Sequence, residues 1–218
     1  SEDHLMSKTE SHNKENDKTD TPEVKPSAKG NTPESLRTWL SELTGAGLVE
    51  WDRLPDIELY MDQVLTLMER QLAFYRRSEE DKLLTQPMIN NYTKDGLLPR
   101  ATDKKYAKGH LALLSILCSL KPVLSISDLS TLLQTAMIDN NEKDLYDFFL
   151  RVQSDAIDAN KIDLSSKLDE MKISEDESEL TAADRRDLAL MALRMSVEAR
   201  ARIMLTQKIL DLVHEKSK

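Results

Sequence analysis

Apolar residues recur along most of this chain at spacings of three and four, the period of an amphipathic helix. Leu36, Trp39, Leu40 and Leu43 share one such face, with Thr32 as its cap, Pro33 in its first turn, and Gly45 and Gly47 as its stop. Tyr60, Met61, Val64, Leu67, Met68, Leu72 and Tyr75 predict a second helix over Ile57–Tyr75. Leu83–Leu98 predicts a third, capped by Thr85, with Pro87 in its first turn and Gly96 as a left-handed stop. Pro99–Lys105 breaks the period and reads as a basic loop or small hairpin. Lys108–Leu120 is apolar on almost every side, so it is expected at the centre of the core. A helix capped by Ser127 is expected to follow, then one built on Leu145, Phe148, Phe149 and Val152. After a charged joint at Ser174–Glu179, Thr181 and Asp184 form a capping-box pattern that opens a long helix to about His214.

Composition agrees with a helical chain and narrows its chemistry. Only 5 Gly and 7 Pro are spread over 218 residues, too few turn formers for an all-β fold. Residues 1–31 carry almost no large apolar side chains and are expected to be a disordered tail. They hold no apolar run of the kind a secretory signal needs, and no stretch has the length and apolarity of a membrane span. One cysteine, Cys118, leaves no internal disulfide. The expected location is cytoplasmic. Net charge is −9, which argues against nucleic acid until its distribution is considered. Residues 85–121 hold six basic and two acidic side chains, while the rest of the chain is acidic. Phosphate contact depends on such a local patch more than on the total.

That basic segment pairs a short capped helix with a basic turn. Met88, Ile89 and Tyr92 are expected to face the core, leaving Gln86, Asn90, Asn91, Thr93 and Lys94 outward. Asn and Gln side chains pair with adenine edges in the major groove, and Lys and Thr suit phosphate. Arg100, Lys104 and Lys105 sit on the turn that follows. The candidate DNA-binding residues are therefore Thr85, Gln86, Asn90, Asn91, Thr93, Lys94, Arg100, Lys104, Lys105 and Tyr106.

Asn90-Asn91-Tyr92, then Gly96-Leu97-Leu98-Pro99-Arg100, then Lys104-Lys105-Tyr106 resemble the DNA-binding domain of MerR-type regulators. The resemblance implies an order of helix, recognition helix, wing, helix, helix over about residues 54–136. Leu54-Pro55-Asp56-Ile57, Leu59 to Val64, Met88 to Lys94 and Lys104-Lys105-Tyr106 are more specifically similar to an uncharacterised family of Gram-positive bacteria, domain of unknown function eighteen thirty-six. That likeness implies a bacterial source and brings no activity. Three departures from MerR regulators matter. Asn91 stands where they tend to carry Arg, the link through Arg76–Lys82 is longer, and no cysteine cluster follows that could sense a metal.

The expected architecture is all-α: a tail (1–31), a short helix and linker (32–53), a MerR-like winged helix-turn-helix (54–136) and a C-terminal helical region (137–218). Nothing in the sequence points to an enzyme, a cofactor or a metal. Cys118 reads as a packing residue, His110 as a half-exposed helix residue, and Met191, Met195 and Met204 as core. The expected function is transcription control through double-stranded DNA. The alternative is an adaptor that keeps the helix-turn-helix shape and docks a protein. Leu188, Ala192, Met195, Ala199 and Ile203 are expected to form the seam of a homodimer, unless the helix bearing Phe148 and Phe149 covers the same stripe within one chain.

Overall fold

The structure is a computed structural model and describes residues 32–43, 48–171 and 180–215. The expected disordered tail, the stop at Gly45 and Gly47, and the charged joint at 174–179 lie outside the described residues. Seven helices are described: α1 (Pro33–Glu42), α2 (Met61–Leu72), α3 (Gln86–Lys94), α4 (Lys108–Leu120), α5 (Ile126–Ala136), α6 (Glu142–Glu170) and α7 (Ala182–Glu215). The fold is mostly helical, with one minor sheet of two short strands, β1 (Leu59–Tyr60) and β2 (Lys105–Tyr106).

Helix α4 is the axis of the main core. Leu111 to Leu117 are buried without a break, because α2 and α6 pack against it and β2 closes its start. Val64, Met68 and Leu72 of α2, Ile89 and Tyr92 of α3, and Leu129 and Leu133 of α5 complete that core. It runs past residue 136 to take in Leu145 and Tyr146, so the first turns of α6 belong to it. The Tyr146 hydroxyl donates to the Val49 carbonyl (2.8 Å), and the Gln153 amide donates to the Tyr75 hydroxyl. The first ties α6 to the approach to β1, the second to the turn after α2. A smaller cluster forms where Leu40 and Leu43 of α1 meet Leu168 of α6, with Arg37 bonded to Asp169 (2.6 Å).

Several boundaries differ from the expectations. Residues 57–60 are not helical. Leu59 and Tyr60 pair with β2, and α2 starts at Met61, where Gln63 accepts the Tyr60 N–H (2.9 Å) and stops the helix from extending backward. Tyr60 is half exposed instead of core. Helix α3 is shorter than Leu83–Leu98: Thr85 caps it through the Met88 N–H (3.4 Å), and Gly96 ends it at φ +74°. Ser125, not Ser127, caps α5, because Ser125 and Asp128 exchange bonds across the first turn (3.1 and 3.4 Å). In the first turns of α6 the inward residues are Leu145, Tyr146 and Phe149, while Phe148 and Val152 are exposed. The Thr181–Asp184 box opens α7 as expected, with each residue's backbone N–H bonded to the other's side chain (3.1 Å).

Candidate nucleic-acid interface

Helix α3 owes its position to two buried residues, Ile89 and Tyr92, which share the face turned to the main core. That seating turns the opposite face outward. Gln86, Asn90 and Lys94 lie one turn apart on a single exposed ridge, with Asn91 beside it. None of these four side chains bonds to a described residue. Thr85 and Thr93, also expected at the interface, are half buried and engaged locally. Thr85 caps the helix, and the Thr93 hydroxyl donates to the Ile89 carbonyl (3.0 Å). Thr93, expected to face outward, is thus half buried with its hydroxyl engaged in the helix.

The chain leaves α3 through Gly96, then buries Leu97 and Leu98, whose N–H groups both return to the Tyr92 carbonyl (2.8 and 3.2 Å). Arg100 follows in the open. Residues 102–105 then form a two-residue hairpin. Lys105 donates to the Thr102 carbonyl (2.9 Å), Thr102 donates back (3.2 Å), and Asp103 and Lys104 take φ of 50° and 64°. Positive φ at both central positions defines a type I′ turn, whose twist matches the flanking strands. Asp tolerates that region. Lys104 carries a steric strain there that glycine would not. Antiparallel pairing of Leu59 with Tyr106 and Tyr60 with Lys105 anchors the hairpin to the entrance of α2.

The basic residues of this segment divide into two groups. Lys108 is engaged internally: it pairs with Asp56 (2.6 Å) and lies over the Trp51 ring. Lys94, Arg100 and Lys104 are exposed and form no ion pair with a described residue. The Lys105 ammonium lies over the Tyr60 ring at 5.6 Å from its centre, which holds the charge at the hairpin surface without neutralising it. Sequence reasoning missed Tyr60 in this role. The alternation across Glu58, Leu59 and Tyr60 was its only signal. Tyr106, expected to contact DNA, is only 7% exposed, because strand pairing turns its ring into the core against His110. It anchors the hairpin. The His110 Nδ1 accepts the Ala107 N–H (3.0 Å), so the ring of this half-exposed residue caps α4.

Burial also fixes the character of two suspect groups behind α3. It pushes the Cys118 thiol up to about 12 and the Tyr92 phenol up to about 12. A thiol held so far from ionisation is a packing group. Among the described residues no three His, Cys, Asp or Glu side chains come together as a metal site, and no helix is long and apolar enough to cross a membrane. A shallow groove between α6 and α7 is lined by Asp163, Lys167, Glu170, Asp187 and Arg194. Its charges satisfy one another through the Lys167–Asp187, Lys167–Glu170 and Arg194–Asp163 pairs.

Residues 49–149 match the family described as Domain of unknown function (DUF1836). The match begins beside Leu48 and ends at Phe149, so it covers the main core from the approach to β1 through the first turns of α6. Helices α1 and α7 lie outside it. No curated protein and no solved structure matches the chain.

Proposed function

We propose that residues 54–136 bind double-stranded DNA as a MerR-like winged helix-turn-helix and that the protein acts in transcription control. Helix α3 enters the major groove, Asn90 and Asn91 read base edges, and Lys94 holds phosphate. The hairpin acts as the wing, with Arg100, Lys104 and Lys105 on the backbone. One observation carries this reading: the exposed Gln86–Asn90–Lys94 ridge, with Asn91 beside it, uses none of its side-chain bonding internally and is followed directly by a basic hairpin. A surface polar group needs no partner inside the chain, but an amide ridge bounded by unpaired cations matches what a groove presents. A bacterial source and a cytoplasmic setting belong to the same reading. Metal sensing does not, since Cys118 is the only cysteine.

The acidity of the rest of the chain supports a second reading, an adaptor that keeps the helix-turn-helix shape and docks a protein through α3 and the hairpin. Fluorescence anisotropy with a random-sequence duplex separates the two. The first reading expects binding that weakens steeply with salt. Replacing Lys104 and Lys105 together by Ala flattens the logarithmic salt slope by about 0.9 for each phosphate that is no longer neutralised. Absence of duplex binding at low salt, or an unchanged slope in the double variant, contradicts it.

A further inference from the structure

Helix α7 is apolar on two opposite faces. One face meets its own chain: Leu188 packs on the Leu168 cluster, Leu210 is buried, and the half-buried Met195 and Ile203 continue the same side. The other face is open. Leu190, Leu193, Val197, Met204, Leu205 and Leu212 are each more than half exposed, and with Ala201 they fall within an arc of about 120° at 100° per residue, which Arg194 and Lys208 share and whose start at Leu190 borders the α6–α7 groove. Ile209 is equally exposed at its edge. Monomeric proteins seldom leave an apolar strip of this extent uncovered. Of the seam expected from Leu188, Ala192, Met195, Ala199 and Ile203, the residues Leu188, Met195 and Ile203 are half buried on the intrachain side, Ala192 and Ala199 are exposed, and Met204 is surface instead of core.

The spacing of the open face identifies its occupant. Counted from Ala201, Val197 and Leu205 lie four residues away on either side, Leu193 and Ile209 eight, and Leu190 and Leu212 eleven. These seven positions therefore read the same in both directions, while Met204 mirrors Glu198 and Arg194 mirrors Lys208. A two-fold axis at right angles to the helix at Ala201 sets each of the seven against an apolar residue of an identical helix running the other way. That self-matching is the requirement of an isologous interface. Its centre falls on a small residue, where two helices approach most closely. We infer that α7 pairs with α7 of a second copy, antiparallel, with Ala201 on the dyad. The strip is about 33 Å long between Leu190 and Leu212. On one flank the same axis brings Glu198 beside the partner's Arg202. Arg194, which otherwise approaches the partner's Lys208, is drawn toward its own chain by Asp163 and Glu198. This pairing does not depend on DNA binding, and its test leaves that reading untouched.

Two measurements on the full chain decide it. Sedimentation equilibrium at micromolar concentration should give a dimer mass, and Val197→Glu should give a monomer that keeps its helical circular dichroism. A monomer mass for the unaltered chain overturns the inference, including a monomer that sediments with anionic lipid vesicles instead. So does a Val197→Glu dimer. The register is read by double electron–electron resonance, with a nitroxide at Leu190→Cys, Ala201→Cys or Leu212→Cys in turn on a Cys118→Ala background. The antiparallel dyad puts the labels at 190, and those at 212, about 33 Å apart along the axis, and gives the shortest separation at 201. Equal separations at all three positions mean parallel helices and overturn it.

Discussion

Helices α4 and α7 are both apolar on more than one side, yet they end in opposite environments. Helix α4 has thirteen residues, and every one from Leu111 to Leu117 is buried. Helix α7 has thirty-four residues, and Leu210 is its only buried large apolar side chain among those described, while seven others stand open. An apolar helix surface records how much of the helix is meant to be surrounded. For α4 the surroundings are all in the chain: α2, α6 and the hairpin strand. For α7 the chain supplies one side only, through α5 at its end and the Leu168 cluster at its start. The same property therefore marks a folding core in one region and, in the pairing inferred above, an assembly surface in the other.

The largest effect that tests this contrast is a core deletion. Leu117→Ala, at a fully buried site on α4, should lower unfolding free energy by about 2–5 kcal/mol, the usual range for a buried leucine. Leu193→Ala on α7 should change the stability of the isolated protomer by no more than about 0.5 kcal/mol. Urea denaturation at a concentration low enough to dissociate any assembly measures both. Equal losses at the two sites would erase the distinction.

The next effect concerns the groups buried around α4. Cys118 is raised from 9.0 to about 12, and Tyr146 and Tyr92 from 10.0 to about 12, in each case mainly by burial. Between pH 9 and 12 the unfolded chain therefore releases protons that the folded chain retains, so stability falls as pH rises through that window. Cys118→Ala should make the decline shallower in its lower part. A flat stability profile from pH 9 to 11 would mean that water reaches this core.

Much of the fold was legible in the sequence because it depends on local chemistry. Thr85, Gly96, Thr181 and Asp184 act on their own turns, and the unbroken apolar run of α4 admits no exposed face. What was not legible depends on distant partners. Tyr60 fits a helical stripe as well as a strand, and only the pairing of Leu59 with Tyr106 decides between them. The same pairing buries Tyr106, which the hairpin sequence alone presents as a surface residue. On α7 both faces are apolar, so the inward one is set by where α5 and α6 lie. The ridge of α3 was largely readable, because the burial of Ile89 and Tyr92 follows from their apolarity. Lys108 belongs to the basic patch by sequence, but Asp56, 52 residues away, neutralises it in the fold.

The smallest effect separates charge from backbone at the hairpin tip. Lys104 holds a φ of 64°, so Lys104→Gly relieves about 1–2 kcal/mol of left-handed strain, loses about 0.4–1 kcal/mol to unfolded-chain entropy, and should stabilise the fold by up to about 1 kcal/mol. The proposed function expects the same change to weaken duplex binding, because a cation is removed. Thermal melting and anisotropy on one sample set check both signs. A variant less stable than the parent would contradict the account of the turn.

If the outward ridge of α3 reads bases, selection of bound sequences from a random duplex pool is the most direct test. The unaltered chain should recover a defined motif. Replacing Asn90 or Asn91 by Ala should relax preference at a base pair, at a cost of about 1–3 kcal/mol for the amide that reads it. Recovery of an identical motif with both residues replaced, or of no motif by the unaltered chain, would contradict base reading by α3.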